Sequence, residues 1–381
     1  MSVLNQYAAI LGKALQPPYV PPSDQYNGLE FKWWKFAFRP AEYRTEGYLV
    51  AFLLAYLITW FFGSRTISQK AKAWLKAHRS LYGAQFSKPS PANGELVQDG
   101  FTSYFIFSTG RRYVKTLHST FEMRPLHDLL QLIVNFGWGL YFFDYKSEDV
   151  LQLDFHLQPS VGGPSSWVWA IVNKNYLNQS RQERWDLSFT KTSDHPSLPI
   201  TLTVMTEAAD VTDALFKSIS SSNTQAKNLL TAISDPAVQP YFHSLIITDQ
   251  PGERPKTALN ADEKERHLVL TLTVPPASKA ADTLPLVQAV FGLVDLLGGN
   301  PPQLRPDTKN KLRKMREDVD VELKKDAEKE KREQEEDAKR SEKAKKKEEK
   351  IAKLSAAEQK KLLEKDQKRA FRKAQGKMVK K

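Results

Sequence analysis

The chain has no cysteine. Disulfides, zinc–thiolate centres and cysteine nucleophiles are therefore excluded. Metal-binding helix faces are missing as well. The seven histidines are His78, His118, His127, His156, His195, His243 and His267, and no two stand three or four residues apart, the spacing a helical metal site uses. No G-x-S-x-G occurs. Gly137-Trp138-Gly139 lacks the rest of a dinucleotide fingerprint, and the Leu297–Pro302 stretch lacks the Lys-Ser/Thr of a phosphate loop. These absences leave catalysis without its usual marks, so we read a non-enzyme with no catalytic residue, no metal and no cofactor. A deep polar pocket with convergent carboxylates would favour a membrane-anchored enzyme instead.

Acidic residues run short at one end. Residues 338–381 carry 18 Lys/Arg against 6 Asp/Glu, a balance of +12 that equals the net charge of the whole chain. An excess confined to one end points to a polyanion or an anionic membrane surface as the partner of that tail. Glycine and proline are absent between Lys309 and Gln375, and between Leu323 and Ile351 only three alanines are apolar. A coiled coil needs large apolar residues at its a and d positions, so residues 324–350 cannot form one. What can hold a helix there is charge pairing at i, i+4: Glu328/Arg332, Glu335/Lys339, Glu336/Arg340, Glu342/Lys346 and Glu349/Lys353. Each pair contributes about 0.2–0.5 kcal/mol. The pattern predicts a solvated strut, about 65 Å from Leu312 to Leu354 at about 1.5 Å per residue. Ser355 and Glu358 form a capping box that restarts the helix. Beyond it come Lys360, Lys361, Lys365, Lys368, Arg369, Arg372, Lys373, Lys377, Lys380 and Lys381. Such a run suits sequence-independent contact with RNA phosphates. Anionic lipid would satisfy the same charge, giving a runner-up reading as a membrane tether.

Charge is missing altogether from Gly47 to Ser64, "GYLVAFLLAYLITWFFGS". Eighteen helical residues reach about 27 Å, enough for a thin bilayer. The expected transmembrane helix is 43–64, after a short luminal segment 1–42. Tyr48, Trp60, Phe61 and Phe62 are expected to anchor it at the interfaces. Upstream, Phe31, Trp33, Trp34, Phe36 and Phe38 also read as interfacial. Residues 65–100 follow as a basic juxtamembrane helix and linker. Ile67, Ala71, Trp74, Leu75, His78 and Tyr82 form its apolar stripe, which either lies on the membrane, with Trp74 as an anchor, or packs on the next domain. Four Lys/Arg in residues 30–46 against five in 65–81 lean toward a cytosolic C-terminal side.

Residues 101–300 alternate strand and helix signals. "TSYFIFS" and "RRYVKTLH" flank Thr109-Gly110 as a hairpin. "DVLQLDFHL", "SSWVWAIV", "LPITLTVMT", "YFHSLIIT" and "RHLVLTLTVP" read as strands. "NYLNQSRQERW", "TQAKNLLTAI" and "DTLPLVQAVFGLVDLL" read as helices, as does "DVTDALFKSI" with Asp210 as a possible cap. "PLHDLLQLIVNFGWGL" reads as a buried helix. The mixture argues an α/β or α+β cytosolic domain, followed by the charged helical arm 301–355 and the basic tip 356–381.

In this order, the span, "AKAWLKAHRSLYGAQF", "STGRRYVKTLHSTFEMRPLHDLLQLIVN", "RHLVLTLTVP" and the arm ending "KLSAAEQKKLLEKDQKR" resemble the calumin family of coiled-coil-domain-containing ER membrane proteins. The most specific piece is Ala71, Ala73, Trp74, His78, Arg79 and Leu81. The resemblance implies a subunit of the PAT complex, an intramembrane chaperone for multipass proteins within the multipass translocon. It implies a small Asterix-like membrane partner, neighbouring Sec translocon and multipass translocon subunits, ER lipids, and contact of the C-terminal helices with rRNA of the large ribosomal subunit. Animal members also carry a signal peptide and a long acidic luminal region that binds calcium. Residues 1–46 hold only Asp24, Glu30, Glu42 and Glu46 as acids, so calcium binding is not carried over.

Overall fold

The computed structural model describes residues 28–352, apart from 35, 41–42, 91–95, 143–146, 159–166 and 259–264. The basic tip lies outside the described residues. The chain divides into two compact units, residues 1–253 with 264–309 and residues 254–263 with 310–381.

The first unit opens with a hairpin of β1 (Phe31–Trp33) and β2 (Phe36–Phe38), with Trp34 in the left-handed region at φ 53°. Phe31, Trp34 and Phe38 are exposed. Then α1 runs unbroken over Arg44–Gln85, 42 residues. The expectation is a span at 43–64 followed by a juxtamembrane helix that lies on the membrane or packs on the next domain; α1 carries both stretches without a break. No proline interrupts it, and the polar residues after the apolar run turn inward on the backbone. Ser64 Oγ donates to Phe61 O and Thr66 Oγ1 to Phe62 O, so they bond within the helix instead of ending it.

A nine-stranded sheet follows, built from β3 (Val97–Asp99), β4 (Ser103–Ser108), β5 (Val114–Glu122), β6 (Val150–Leu157), β7 (Trp169–Asn173), β8 (Lys191–Ser193), β9 (Leu202–Thr206), β10 (Phe242–Thr248) and β11 (Arg266–Thr273). Its order is β3-β4-β5-β6-β11-β10-β7-β9-β8. Each pairing is antiparallel, which settles the fold as α+β. The hairpin at Thr109-Gly110 forms as read, with Gly110 at φ +87°; a Cβ there would fall 1.7 Å from Ser87 Oγ. Strand β6 alternates buried Leu151, Leu153, Phe155 and Leu157 with solvent-side Gln152, Asp154 and His156, the period of a half-buried strand. Central β10 is buried at every residue.

The helices are α2 (Leu129–Tyr141), α3 (Leu177–Glu183), α4 (Ala209–Ser220), α5 (Leu229–Ser234) and α6 (Leu284–Gly299). Helix α6 is mostly apolar and largely buried between Leu286 and Leu297; its polar residues there are Gln288, which is exposed, and Asp295, which pairs with Arg111 at 2.8 Å. Helix α2 is also apolar but none of its residues is buried, which overturns the expected buried helix. Asp210 is no cap. It lies in the first turn of α4, whose N-cap is Ala208, and it accepts from Arg305 N at 3.0 Å.

Helix α7 (Pro306–Ala352) has 47 residues and continues into the second unit. Its length is about 70 Å at about 1.5 Å per residue. Leu312 and Leu323 are buried, whereas Val321 is exposed. Arg254 reaches Glu322 at 3.3 Å and Asp326 at 2.6 Å, and Arg313 pairs with Glu317 at i, i+4.

Candidate membrane-facing site

Helix α1 has two halves of opposite character. From Tyr48 to Phe62 its large apolar side chains are exposed, with Tyr48, Trp60, Phe61 and Phe62 among them. It is the one helix among the described residues long and apolar enough to cross a membrane. From residue 63 onward the stripe Gly63, Ile67, Ala71, Trp74, His78 and Tyr82 is buried. Burial of each large side chain stabilises by about 1.5–3 kcal/mol.

Trp74 is therefore not a membrane anchor. It is 0% exposed, and its Nε1 donates to Thr283 Oγ1 at 3.0 Å. Its ring stacks on His78 at 3.8 Å and meets Tyr82 and Phe121 edge-on. The same periodicity serves a membrane surface or a protein core, and here the core takes it. His78 Nδ1 lies 2.9 Å from Trp74 O, and its Nε2 is 3.3 Å from Thr283 Oγ1. Burial pushes the His78 imidazole down to about 4, so it is neutral near pH 7. Tyr82 is bonded to Ser119 at 2.9 Å.

The two halves meet where the domain touches the end of the apolar run. A Cβ on Gly63 would sit 2.1 Å from the Leu126 carbonyl oxygen, so only glycine lets the 126–127 backbone approach this closely. Trp60 lies edge-on to Phe101 at 6.1 Å, and Phe101 covers His127 at 4.9 Å. Asp149, 3% exposed, fixes the junction. Its Oδ2 accepts from Lys70 of α1 at 2.7 Å, and its Oδ1 accepts from the Arg124 backbone N at 2.9 Å. Burial alone would raise the Asp149 pKa, but the bonds from Lys70 and Arg124 outweigh it and hold the carboxyl below its usual range.

Strand pairing builds two further polar clusters that residue spacing does not reveal. Across β6 and β11, Asp154, His156 and His267 place potential ligand atoms within 4.8 Å of one another. Such a set could hold a metal ion. Hydrogen bonds within it also account for the arrangement: His267 Nδ1 lies 2.9 Å from Asp154 Oδ1, and His156 Nδ1 lies 3.2 Å from Glu265 Oε2. A second cluster lines a cleft of about 460 Å³ with Glu122, Glu148, Glu183, Glu253, Tyr176 and His243. Here the Tyr176 hydroxyl donates to Glu148 Oε2 at 2.7 Å, and His243 Nε2 lies 2.6 Å from Thr273 Oγ1. Burial, reinforced by Glu148, raises the Tyr176 pKa, which keeps the hydroxyl a donor.

The expected rRNA-binding residues, Lys360, Lys361, Lys365, Lys368, Arg369, Arg372, Lys373, Lys377, Lys380 and Lys381, lie outside the described residues.

The family model for PAT complex subunit CCDC47 matches residues 42–373. An endoplasmic reticulum membrane protein of Schizosaccharomyces pombe is 28% identical over 288 residues, covering 72% of this chain and 74% of that protein. PAT complex subunit CCDC47 of Homo sapiens is 23% identical over 297 residues, 73% of this chain and 58% of its own length; that of Danio rerio is 22% identical over 298 residues, 74% and 57%. The chain thus spans less than two thirds of these vertebrate relatives. It belongs to the CCDC47 family of PAT complex subunits.

Proposed function

We propose that the protein is an ER-membrane scaffold subunit of a PAT-like complex, supporting the insertion and folding of multipass membrane proteins beside a ribosome-bound translocon. The observation that carries this reading is the family match over 42–373, joined to a helix that is lipid-exposed in character at one end and locked into a folded domain at the other. A helix continuous from Arg44 to Gln85 transmits the position of the domain to the membrane without a hinge.

In this account the N-terminus is luminal and the α+β domain cytosolic, in keeping with the lean of the flanking basic residues. Tyr48, Trp60, Phe61 and Phe62 anchor the span. The exposed face of the span meets a small Asterix-like membrane protein and the Sec and multipass translocon subunits. Helix α7 is a charged arm that leads in sequence to the basic tip 356–381, and the tip contacts rRNA phosphates through Lys360, Lys361, Lys365, Lys368, Arg369, Arg372, Lys373, Lys377, Lys380 and Lys381. No catalytic step is assigned. Convergent carboxylates such as those of the 460 Å³ cleft are what an enzyme would need, but Glu148 is already bonded to Tyr176, and the family is one of complex subunits.

Co-sedimentation of the full chain with ribosomes tests the arm. Binding is expected at low salt, weaker at high salt, and lost on deletion of 356–381. Unchanged binding after the deletion overturns the role of the tip. Flotation of the tail with anionic liposomes in place of ribosome binding supports the tether reading.

A further inference from the structure

We propose that α2 is a re-entrant helix seated in the lipid of the same bilayer that α1 crosses, beside the domain-side end of the span. Four observations place it there.

The first is composition. From Leu129 to Phe142 there is no charged residue, and Gln131 and Asn135 are the amide side chains in a run otherwise of Leu, Ile, Val, Phe, Trp, Tyr and Gly. A helix apolar on all sides is found inside a protein or inside a membrane. The second is exposure. No residue of α2 is buried; Phe136 is 71% exposed, Leu140 69% and Ile133 58%. The equally apolar α6 is enclosed by the domain, so the protein supplies a core for one helix and none for the other. A contiguous apolar patch of this kind marks a partner or a membrane.

The third is topology. The excursion containing α2 leaves β5 at Glu122 and returns to β6 at Val150, and these two residues are directly paired. Exit and entry are thus at one place. Thirteen helical residues reach about 20 Å, too short to span and within the length typical of re-entrant or interfacial segments. The backbone of a helix is satisfied internally, as lipid requires, and Asp128 Oδ1 accepts from Leu130 N and Gln131 N to close its start.

The fourth is level, and it selects lipid as the occupant. The segment entering α2 touches α1 at Gly63, the next-to-last residue of the uncharged run 47–64. Phe101, 46% exposed, lies beside Trp60 at the same height. The apolar surface of α2 therefore starts where the lipid-facing surface of the span ends, continuous with it. The inference needs α1 to cross a bilayer and does not need the ribosome or translocon.

The natural absence of cysteine allows the direct test. Single-cysteine variants Phe136→Cys and Leu140→Cys of the full chain, labelled with an environment-sensitive fluorophore, are reconstituted into phosphatidylcholine vesicles with and without doxyl-labelled lipid. Phe52→Cys, in the span, and Thr192→Cys, on exposed β8, are the lipid and water references. Circular dichroism of each variant, matched to the parent, confirms folding. The α2 probes are expected to be blue-shifted and quenched as the Phe52 probe is. If the Phe52 probe is quenched and the α2 probes behave like the Thr192 probe, the proposal is overturned. It is also overturned if they become shielded only when ER membrane proteins are added back, because a protein then covers the helix. Failure of the Phe52 probe itself sinks the span, and with it this inference.

Discussion

Lys70 Nζ lies 2.7 Å from Asp149 Oδ2, and this bond ties α1 to the segment that returns from α2 into the sheet. Asp149 also holds the Arg124 backbone on the outgoing side of the same excursion. One buried carboxylate thus fixes α1 against both ends of the α2 loop. Asp149→Ala removes the acceptor of the partly exposed Lys70 and of the Arg124 backbone N. Loss of such charge-assisted bonds is expected to lower stability by about 1.5–3 kcal/mol, read by chemical denaturation of the detergent-solubilised chain. The Asp149 pKa is lower in the folded state than its ordinary 3.8. Its stabilisation is therefore present above that range and lost as pH falls through the folded value. Loss of the acid-side drop in Asp149→Ala checks the sign.

Gly63→Ala tests the close approach at the membrane end of the domain. The added Cβ meets backbone atoms of Leu126 and His127 at 2.1–2.6 Å, which cannot rotate away as a side chain can. Overpacking of this kind costs about 1–3 kcal/mol. Gly47→Ala meets nothing within 4 Å and gains helix propensity. The first variant is expected to melt lower than the parent and the second at the same temperature or higher. Equal melting of the two contradicts the packing.

His78 sets a pH dependence of its own. Its folded pKa is about 4 against 6.5 when unfolded. Between these values the unfolded chain takes up a proton that the folded chain refuses, so stability falls as pH drops from 6.5 toward 4. The total loss is about 3 kcal/mol. Denaturation midpoints across that window are expected to decline in the parent, and to decline less in His78→Gln.

Legibility in the sequence followed the number of environments that produce the same pattern. The hairpin around Gly110 was readable because alternating strands and a left-handed glycine leave few alternatives. The α+β sheet was only half readable, since strand signals do not state pairing direction. The stripe through Trp74 and His78 has one periodicity whether it lies on lipid or in a core, and only the fold shows the bond to Thr283. Helix α2 is the opposite case: an all-apolar run reads as core, yet none of it is buried. His156 and His267 are 111 positions apart and become neighbours only through the β6–β11 register, which no local spacing encodes. Strand β8, three exposed residues, carries too little pattern to be seen.

The most direct measurement is site-specific photocrosslinking from Tyr48 and Phe52, exposed on α1, in ER membranes carrying stalled ribosome–nascent chain complexes. The account predicts adducts with a small membrane partner and with multipass nascent chains, but not with single-pass ones. Adducts with lipid alone, or equal adducts with both substrate classes, would contradict it.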